Sequence, residues 1–246
     1  MARTIALSAI GVLAPMLYPL LTNRVFTKDD LAALHLPYRF LYQASLSRGE
    51  FLQWTPAYHA GFFLHGAGET AMTHPLHVAL YALLPLGVAF NLEIIASYLF
   101  LFFGTFALLS RLGVARDGAL FGAMTFGFCS FGLYNLMHVN HIATIAHAPW
   151  LMMAVHWLIT AENRSRRLQA AGATALIFAS QLMSGNPQYV WMTMVVLGYM
   201  LMCLWRAGHR RVMLFPVAGA LALGVLTSSI QLLPTVAFFR KSTRAV

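Results

Sequence analysis

The sequence predicts an all-α fold, a polytopic membrane helical bundle with about seven transmembrane helices. Of the 246 residues, 59% are hydrophobic and only 9% are charged, whereas about a quarter of the residues in a soluble globular domain are charged. The apolar residues are gathered in stretches close to the roughly 20 residues that a helix needs to cross the hydrocarbon core. Arginines collect in the connectors between these stretches, as they do in cytoplasmic loops of membrane proteins.

Seven stretches are long and apolar enough to be predicted as spans. They are residues 5–21, 94–109, 119–136, 142–159, 168–183, 189–205 and 212–233. An eighth stretch, residues 75–90, is short and is interrupted by Pro85, so we expect an interfacial or re-entrant helix there. The chain 1–246 then forms one transmembrane module, and its long first extracytoplasmic loop covers residues 23–92.

The charges of the connectors predict the orientation of the chain. Connectors 111–117, 162–167 and 206–211 are rich in arginine, whereas connectors 137–141 and 184–188 contain no lysine or arginine. Because basic connectors remain on the cytoplasmic side, we expect a cytoplasmic N-terminus and an outward first loop.

The arginines of these connectors account for most of the net charge of +9, so nucleic acid is not an expected partner. We expect a multi-pass protein of a cytoplasmic membrane.

Several chemistries have no motif in this chain. Cys129 and Cys203 both lie in apolar runs, so neither a disulfide framework nor a zinc site is expected. The sequence contains no P-loop, no G-x-G-x-x-G, no G-x-S-x-G and no kinase motif set. Chemistry on a cytoplasmic nucleotide is therefore not expected, and a divalent cation is the one cofactor left open.

The polar residues of the predicted outer side indicate where a site would lie. They are the loop acids Asp29, Asp30, Glu50 and Glu69, the connector residues His138, Asn140, His141, Asn186 and Gln188, and Gln231 in the outer part of the last predicted span. Polar groups at membrane depth are costly and therefore mark functional positions. We expect a site between the long first loop and the outer ends of the helices.

The two neighbouring aspartates, Asp29 and Asp30, have two interpretations. They follow Thr27 in the pattern that starts a helix, in which a carboxylate satisfies free backbone N–H groups. Alternatively, one of them points into a cavity and acts as a base or a metal ligand. Two adjacent carboxylates cannot face the same way on a helix, so only one is expected in such a role.

The histidines also have alternative interpretations. His138 and His141 are three residues apart and share a helix face, so they could contact a phosphate, a sugar or a metal, or simply lie at the membrane interface. We expect His147, within a span, to bond to a neighbouring helix. Gly185 and Pro187 predict a helix stop followed by a new helix start.

The order of motifs along the first loop and beyond it resembles the YfhO-like bacterial membrane proteins of the GT-C glycosyltransferase superfamily. The matching residues are the acidic pair Asp29-Asp30, Pro37-Tyr38-Arg39, Arg48-Gly49-Glu50, Trp54-Thr55-Pro56, Gly61, His74-Pro75, the apolar run 80–85, Gly185-Asn186-Pro187-Gln188, Gln231-Leu232-Leu233-Pro234 and Ser242-Thr243-Arg244. The resemblance covers about residues 23 to 244. It implies a GT-C-like fold in the inner membrane of a bacterium.

The resemblance also implies an activity and a set of site residues. It implies an inverting membrane glycosyltransferase that takes a sugar from a polyprenyl-phosphate donor and passes it to an extracytoplasmic lipid or cell-envelope glycan. Asp30 is the implied general base, with Asp29 as the alternative register. The expected contacts for phosphate or sugar are Arg39, His138, His141, Asn186, Gln188 and Gln231.

A second hypothesis remains open beside this one. Family members are longer than this chain, so we expect a missing C-terminal continuation or a partner subunit. The chain could then be a non-catalytic membrane protein, either a transporter of a lipid-linked glycan or an assembly partner, in which Asp30 only caps a helix. A transporter would place ionisable residues near the middle of the membrane.

Overall fold

The part of the chain that the structure describes is helical and contains no β-strand. The structure is a computed structural model that describes residues 11, 14–58, 60–206 and 214–241. Residues 14–21 are helical, and a turn of π-helix covers Leu31–His35. The helices of the first loop are α1 (Leu36–Leu46), α2 (Leu64–Ala67) and α3 (Pro75–Leu83). An isolated bridge between Thr55 and Phe62 closes a turn between α1 and α2.

The remaining helices are longer and mostly apolar. They are α4 (Leu86–Arg111), α5 (Arg116–Phe128), α6 (Ser130–Tyr134), α7 (Val139–Ile145), α8 (Ala148–Thr160), α9 (Arg164–Met183), α10 (Pro187–Arg206), α11 (Leu214–Thr227) and α12 (Ser229–Arg240). A single 3₁₀ turn, Asn135–Met137, follows α6. The fold class predicted from the sequence is thus confirmed in its main statement, an all-helical chain.

Four helical stretches among the described residues are long and apolar enough to cross a membrane. They are Leu86–Arg111, Arg116–Met137, Val139–Thr160 and Pro187–Arg206. The consecutive helices α11 and α12 are bent by 74° and make a fifth candidate if they are taken together. The membrane class predicted from composition is supported by these helices.

The predicted number of seven spans is not confirmed. Of the predicted span 5–21, residues 5–10, 12 and 13 lie outside the described residues, and residues 14–21 are helical. Helix α9 covers the predicted span 168–183 and has the length to cross, but it is not among the candidate spans. The arginines of its first turn lower its mean hydropathy, as do Gln169, Gln181 and several small residues.

The boundaries around Pro85 also differ from the prediction. The short helix α3 ends at Leu83, and residues 86–90 belong to the long helix α4. Pro85 has an extended ψ of 144° and lies directly before the first residue of α4, a position that proline tolerates because the first helical N–H groups have no partner. The predicted interfacial helix is therefore shorter, and the predicted span that began at residue 94 starts eight residues earlier.

Four apolar clusters hold the described helices together, and the smallest packs α4 against α5 around Phe102 and Leu120. The largest joins α8, α9, α10 and α11 through residues such as Leu151, Leu158, Phe178 and Leu197. A second cluster packs Leu31, at the start of the first loop, against α4 and α7. A third lies within the first loop itself, around Tyr42, Leu64, Met72 and Tyr81. The first loop is thus folded onto the membrane helices and has its own small core.

The arginine-rich connectors 111–117 and 162–167 lie at one end of the helices. Arg111, the last residue of α4, donates to His156 Nδ1 and to Thr160 Oγ1 near the end of α8, each over 3.0 Å. In the first turn of α9, Arg167 donates to the carbonyl of Ala161, the residue after α8, over 3.3 Å, so this turn lies at the same end. We call this the arginine end of the molecule. The connectors around residues 137–141 and 184–188, one helix length away, form the loop end.

Candidate functional site

The structure brings Asp30 of the first loop to His138 in the connector before α7. The Asp30 Oδ2 atom lies 3.3 Å from His138 Nδ1. The Asp30 side chain is 48% exposed and that of His138 is 29% exposed, so both can be reached from outside. Residues far apart in the sequence thus form an acid–histidine pair at the loop end, in the region where the sequence predicted a site.

A turn of π-helix positions Asp30. Asp30 precedes this turn, in which the backbone N–H of Leu36 bonds to the carbonyl of Leu31, five residues earlier. Such single turns are rare in proteins and are frequently found at functional sites. Asp30 makes no side-chain capping bond to the turn, so its carboxylate is not used as the helix cap that the sequence pattern offered.

Asp29 differs from Asp30 in its environment. Asp29 is exposed and has a left-handed backbone conformation with φ of 49°. Its carbonyl accepts hydrogen bonds from Ala32 and Ala33, so the residue acts in the local turn through its backbone. Among the described residues, the ion-pair contact with His138 is made by Asp30. This geometry favours Asp30 as the chemically useful member of the pair.

Further imidazoles surround the Asp30–His138 pair. The rings of His138 and His141 are 4.6 Å apart, and His141 Nδ1 lies 3.0 Å from Asn135 Oδ1. His35, at the end of the π-turn, is 4% exposed. Burial, followed by the positive charge of Arg39, lowers the pKa of His35 to about 4, although Glu93 and Asp30 act in the opposite direction. His35 is therefore neutral at neutral pH.

The other predicted contact residues lie in three different settings. Arg39 is 2% exposed and is bonded to Glu93 and to the Thr70 carbonyl. Asn186 accepts a hydrogen bond from the backbone N–H of Tyr189 and so caps α10, while Gln188 is exposed on the first turn of that helix. Gln231 is buried and bonds to Thr73 and to the His65 carbonyl, which ties the first loop to α12. Their predicted role as substrate contacts stays a prediction.

A second polar cluster, which the sequence did not single out, is centred on Glu93. Glu93 lies in the candidate span α4 and is 1% exposed. Arg39 Nε lies 2.9 Å from Glu93 Oε2 and Arg39 Nη2 lies 2.5 Å from Glu93 Oε1. The Tyr81 hydroxyl donates to the same carboxylate, and His77 Nε2 lies 3.6 Å from it. A two-point Arg–carboxylate pair of this kind is among the stronger polar contacts in proteins.

The groups around Glu93 have strongly shifted pKa values. Burial opposes the charge of Arg39, but the Glu93 carboxylate outweighs it and raises the pKa of the guanidinium. Burial lowers the pKa of His77 to about 4, and the nearby carboxylate only partly offsets this. Arg39 and Glu93 are therefore a charged pair in contact with a neutral imidazole. They fix the first loop to the start of α4.

The His77 ring lies 5.0 Å from the ring of His74, and hydrogen bonds connect His74 to α8 and α9. Ser180 Oγ lies 2.7 Å from His74 Nε2 and 2.7 Å from His147 Nε2. His147 Nδ1 lies 2.7 Å from the carbonyl of Ala143, which can only accept, so this nitrogen carries the proton. A neutral His147 then accepts from the Ser180 hydroxyl, and His74 donates to the same oxygen. The prediction that His147 bonds to a neighbouring helix is confirmed.

Two local features of the sequence belong to this second cluster. Glu93 is a carboxylate close to the start of a long apolar run. Because it lies one residue before the predicted span 94–109, the prediction did not place it within a membrane helix. His74 and His77 are three residues apart at the start of a helix, a spacing that places them on one face. Their rings are 5.0 Å apart. Their connection to Ser180, more than 100 residues away, has no local signal.

Within the described part of the chain, no group of three or more histidine, cysteine or acidic residues has the geometry to hold a metal ion. The pair of Asp30 and His138 offers two ligands, and His141 is bonded to Asn135. The partly exposed Asp30 carboxylate and the His138 imidazole lie together, an arrangement that is suited to proton transfer.

Comparison with protein-family models finds no matching family, and comparisons with curated proteins and with solved structures find no matching protein. The functional assignment therefore depends on the geometry of the site and on the sequence motifs.

Proposed function

We propose that this chain is a GT-C-type membrane glycosyltransferase. It would transfer a sugar from a polyprenyl-phosphate donor to an extracytoplasmic lipid or cell-envelope glycan, with Asp30 as the general base. The observation that carries the proposal is the 3.3 Å contact between the partly exposed Asp30 carboxylate and His138. The family resemblance of the first loop supplies the reaction type.

In the proposed reaction, the Asp30 carboxylate removes a proton from the acceptor hydroxyl. The acceptor oxygen then attacks the anomeric carbon of the donor sugar from the face opposite the phosphate. The bond between the sugar and the lipid phosphate breaks, and the phosphate leaves with the bonding electrons. His138 and His141, which lie beside Asp30, are the proposed contacts of that phosphate. One transfer of this kind inverts the anomeric configuration.

The proposed location is the inner membrane of a bacterium. The N-terminus and the arginine end would face the cytoplasm, and the loop end would face outward, as the positive-inside rule requires. Polyprenyl-phosphate sugars present their polar part at the membrane surface, where Asp30 would meet them.

A specific observation also favours a second candidate, a transporter of a lipid-linked glycan. Glu93 is an ionisable residue within a candidate span, and it is connected to three histidines through the contacts described above. Buried ionisable residues in spans often mark transport pathways. However, Glu93 is held by Arg39 and Tyr81, which satisfies it within the protein.

The experiment compares sugar transfer by the wild-type chain, Asp30→Asn and Asp29→Asn at equal expression. Membranes are supplied with labelled polyprenyl-phosphate sugar, and label in the glycan fraction is measured. We expect Asp30→Asn to lose at least 100-fold in rate, the lower end of what general-base catalysis contributes. Asp29→Asn is the matched control and should retain activity. Equal activity of all three proteins rules out Asp30 as the base, and absence of transfer by the wild type supports the non-catalytic candidate.

A further inference from the structure

A cavity of about 200 Å³ lies beside the hydroxyl that His74 and His147 share. Its wall is formed by parts of α3, α4, α7 and α9 and by the residues between α7 and α8. Leu76 of this wall is 44% exposed, so the wall reaches the surface of the protein. Ser180 is half-buried and lies about one helical turn before the connector at residues 184–188. A small molecule that enters the cavity from the loop end therefore meets the Ser180 side chain.

Ser180 and His147 have the geometry of a nucleophile and its general base. Ser180 Oγ lies 2.7 Å from His147 Nε2, within the range of about 2.6–3.2 Å that this role requires. The Ala143 carbonyl, 2.7 Å from His147 Nδ1, holds the proton of the ring on that nitrogen. The lone pair of Nε2 then faces the hydroxyl. A catalytic serine needs a base in this tautomer and a third group that orients the base, here a backbone carbonyl.

His74 lies against the same hydroxyl oxygen and supplies a donor. Its Nε2 atom is 2.7 Å from Ser180 Oγ. Because the hydroxyl proton is directed to His147, His74 is the donor in this contact. The other nitrogen, His74 Nδ1, is buried and has no hydrogen-bond partner among the described residues. The His74 ring thus directs its hydrogen bond to Ser180, at the point where negative charge would develop if that oxygen attacked a substrate.

We propose that Ser180, His147 and His74 form a second catalytic site, which hydrolyses esters of short acyl groups. The cavity has room for an acyl group of a few carbon atoms. Its wall is mostly apolar, with Leu76 and Phe100 among its residues, and an apolar wall with a few convergent polar groups is typical of a small-molecule site. This inference does not rest on the proposed function, because it uses neither Asp30 nor His138.

The proposed reaction begins when Ser180 Oγ bonds to the carbonyl carbon of the ester and its proton passes to His147 Nε2. The bond between that carbon and the alcohol oxygen then breaks, and the alcohol leaves with the proton from His147. Ser180 now carries the acyl group as an ester. A water molecule gives a proton to His147, attacks the acyl carbon and releases the carboxylic acid, which restores the Ser180 hydroxyl. His74 is the proposed hydrogen-bond donor to the oxyanion of each intermediate.

The test is covalent labelling of the full chain in lipid nanodiscs with an alkyl fluorophosphonate. This reagent reacts with a serine that a neighbouring base activates. Mass spectrometry of the wild-type protein locates the label, and we expect it on Ser180. Absence of label, or label on a different residue, overturns the proposal. This measurement needs no variant, so it does not depend on whether a substituted protein folds.

Three variants test the roles of the residues. His147→Gln removes the base and should slow labelling by about 100-fold or more, the lower end of general-base catalysis. His74→Phe removes the donor and should slow labelling by about 100-fold. Ser184→Ala is the matched control and should be labelled at the wild-type rate, because Ser184 lines the same cavity but its hydroxyl donates to the Ser180 carbonyl. Equal rates in His147→Gln and the wild type reject the site, provided that thermal unfolding shows a folded variant.

Hydrolysis of p-nitrophenyl esters tests the class of substrate. The wild type should hydrolyse the butyrate ester, and the palmitate ester should react more slowly because its chain is much longer than the cavity. Equal rates for the two esters overturn the assignment to short acyl groups, and label on Ser180 without hydrolysis of either ester overturns the esterase. Asp30→Asn should hydrolyse butyrate like the wild type. Ester hydrolysis without sugar transfer therefore rejects the proposed function alone, and sugar transfer without ester hydrolysis rejects this inference alone.

Discussion

Glu93 and Arg39 are 54 residues apart in the chain and form a buried ion pair, in which their side chains are 1% and 2% exposed. Arg39 belongs to the first loop and Glu93 to the first helix that can span a membrane. The pair therefore fixes the loop to the bundle, and the position of Asp30 depends on it because Asp30 lies nine residues before Arg39 in the same folded segment.

Breaking this pair on one side should destabilise the protein strongly. Glu93→Gln or Arg39→Met leaves one charge buried without its partner, a change that typically costs about 3–5 kcal/mol. The double variant Arg39→Met/Glu93→Gln should cost less than the sum of the two single changes. Thermal and denaturant unfolding of the purified protein in detergent measures these costs.

The exposed pair Arg48–Glu50 is the control for this prediction. Its atoms are 2.9 Å apart, and its side chains are 58% and 60% exposed. Arg48→Met and Glu50→Gln should leave the unfolding temperature unchanged, because exposed ion pairs contribute little. Additive costs in the Arg39/Glu93 double variant would contradict the interpretation of the pair as coupled.

Acidification should destabilise the fold through its buried histidines. Burial lowers the pKa of His77 to about 4 and that of His74 to about 3, below the value near 6.5 of an exposed imidazole. The unfolded chain therefore binds protons first as the pH falls, and stability declines from about pH 6.5 down to about pH 4. Unfolding temperatures measured from pH 7.5 to 4.5 should fall accordingly.

His77→Gln tests the origin of this pH dependence. The variant removes one imidazole that faces Glu93, Arg39 and His74. The decline of stability between pH 6.5 and 4.5 should be shallower than in the wild type, even if the variant is less stable at neutral pH. An unchanged slope would assign the acid sensitivity to other groups.

Gly185 should not tolerate a side chain. It has φ of +83°, and a Cβ at this position would collide with the carbonyl oxygen of Gly68 in the first loop. Gly185→Ala combines backbone strain with overpacking, each of which costs about 1–3 kcal/mol. Equilibrium unfolding should show the loss.

Gly172 offers the control for Gly185→Ala in the preceding helix α9. A Cβ there would meet open space, and alanine is favoured over glycine inside a helix by about 0.5–1 kcal/mol. Gly172→Ala should therefore be neutral or stabilising. Equal destabilisation by the two alanines would show that the contact between residues 185 and 68 is not the cause.

Ser180 should be important for stability because it satisfies two buried histidines. Ser180→Ala removes the hydroxyl that His74 and His147 share. Leaving buried polar groups without partners costs about 1–3 kcal/mol. Ser47→Ala is the control, since the Ser47 hydroxyl bonds to the Ala44 carbonyl at an exposed position. Similar unfolding curves for both variants would contradict the role of Ser180.

The features that the sequence predicted correctly are those with a local cause. Apolar composition predicted the helical class, and Gly185 with Pro187 predicted where α9 ends and α10 begins. The functional site expected between the first loop and the connector at residues 137–141 stays a prediction, and the structure shows which of its polar side chains lie together. Asp30 and His138 do meet in that region.

The features that the sequence did not reveal depend on distant partners. Nothing in the residues near Arg39 indicates that Glu93 will bury it, so an arginine expected to face a substrate lies in an internal ion pair. Helix α9 matched the length of a span, although its small and polar residues pack against α8 and α11. Such pairings are decided by the packing of whole helices and not by local pattern.

The π-turn before α1 determines the rotation of Asp30 relative to Arg39 about the helix axis. A turn closed by a five-residue bond holds one residue more than an α-helical turn, and one residue corresponds to about 100° of rotation about the helix axis. Suppose that one residue were deleted between Asp30 and Arg39, so that the π-turn became a regular helical turn. The helix could then hold Arg39 against Glu93, or it could hold Asp30 beside His138, but it could not do both. The spacing of residues in this segment is therefore as strictly required as their identity.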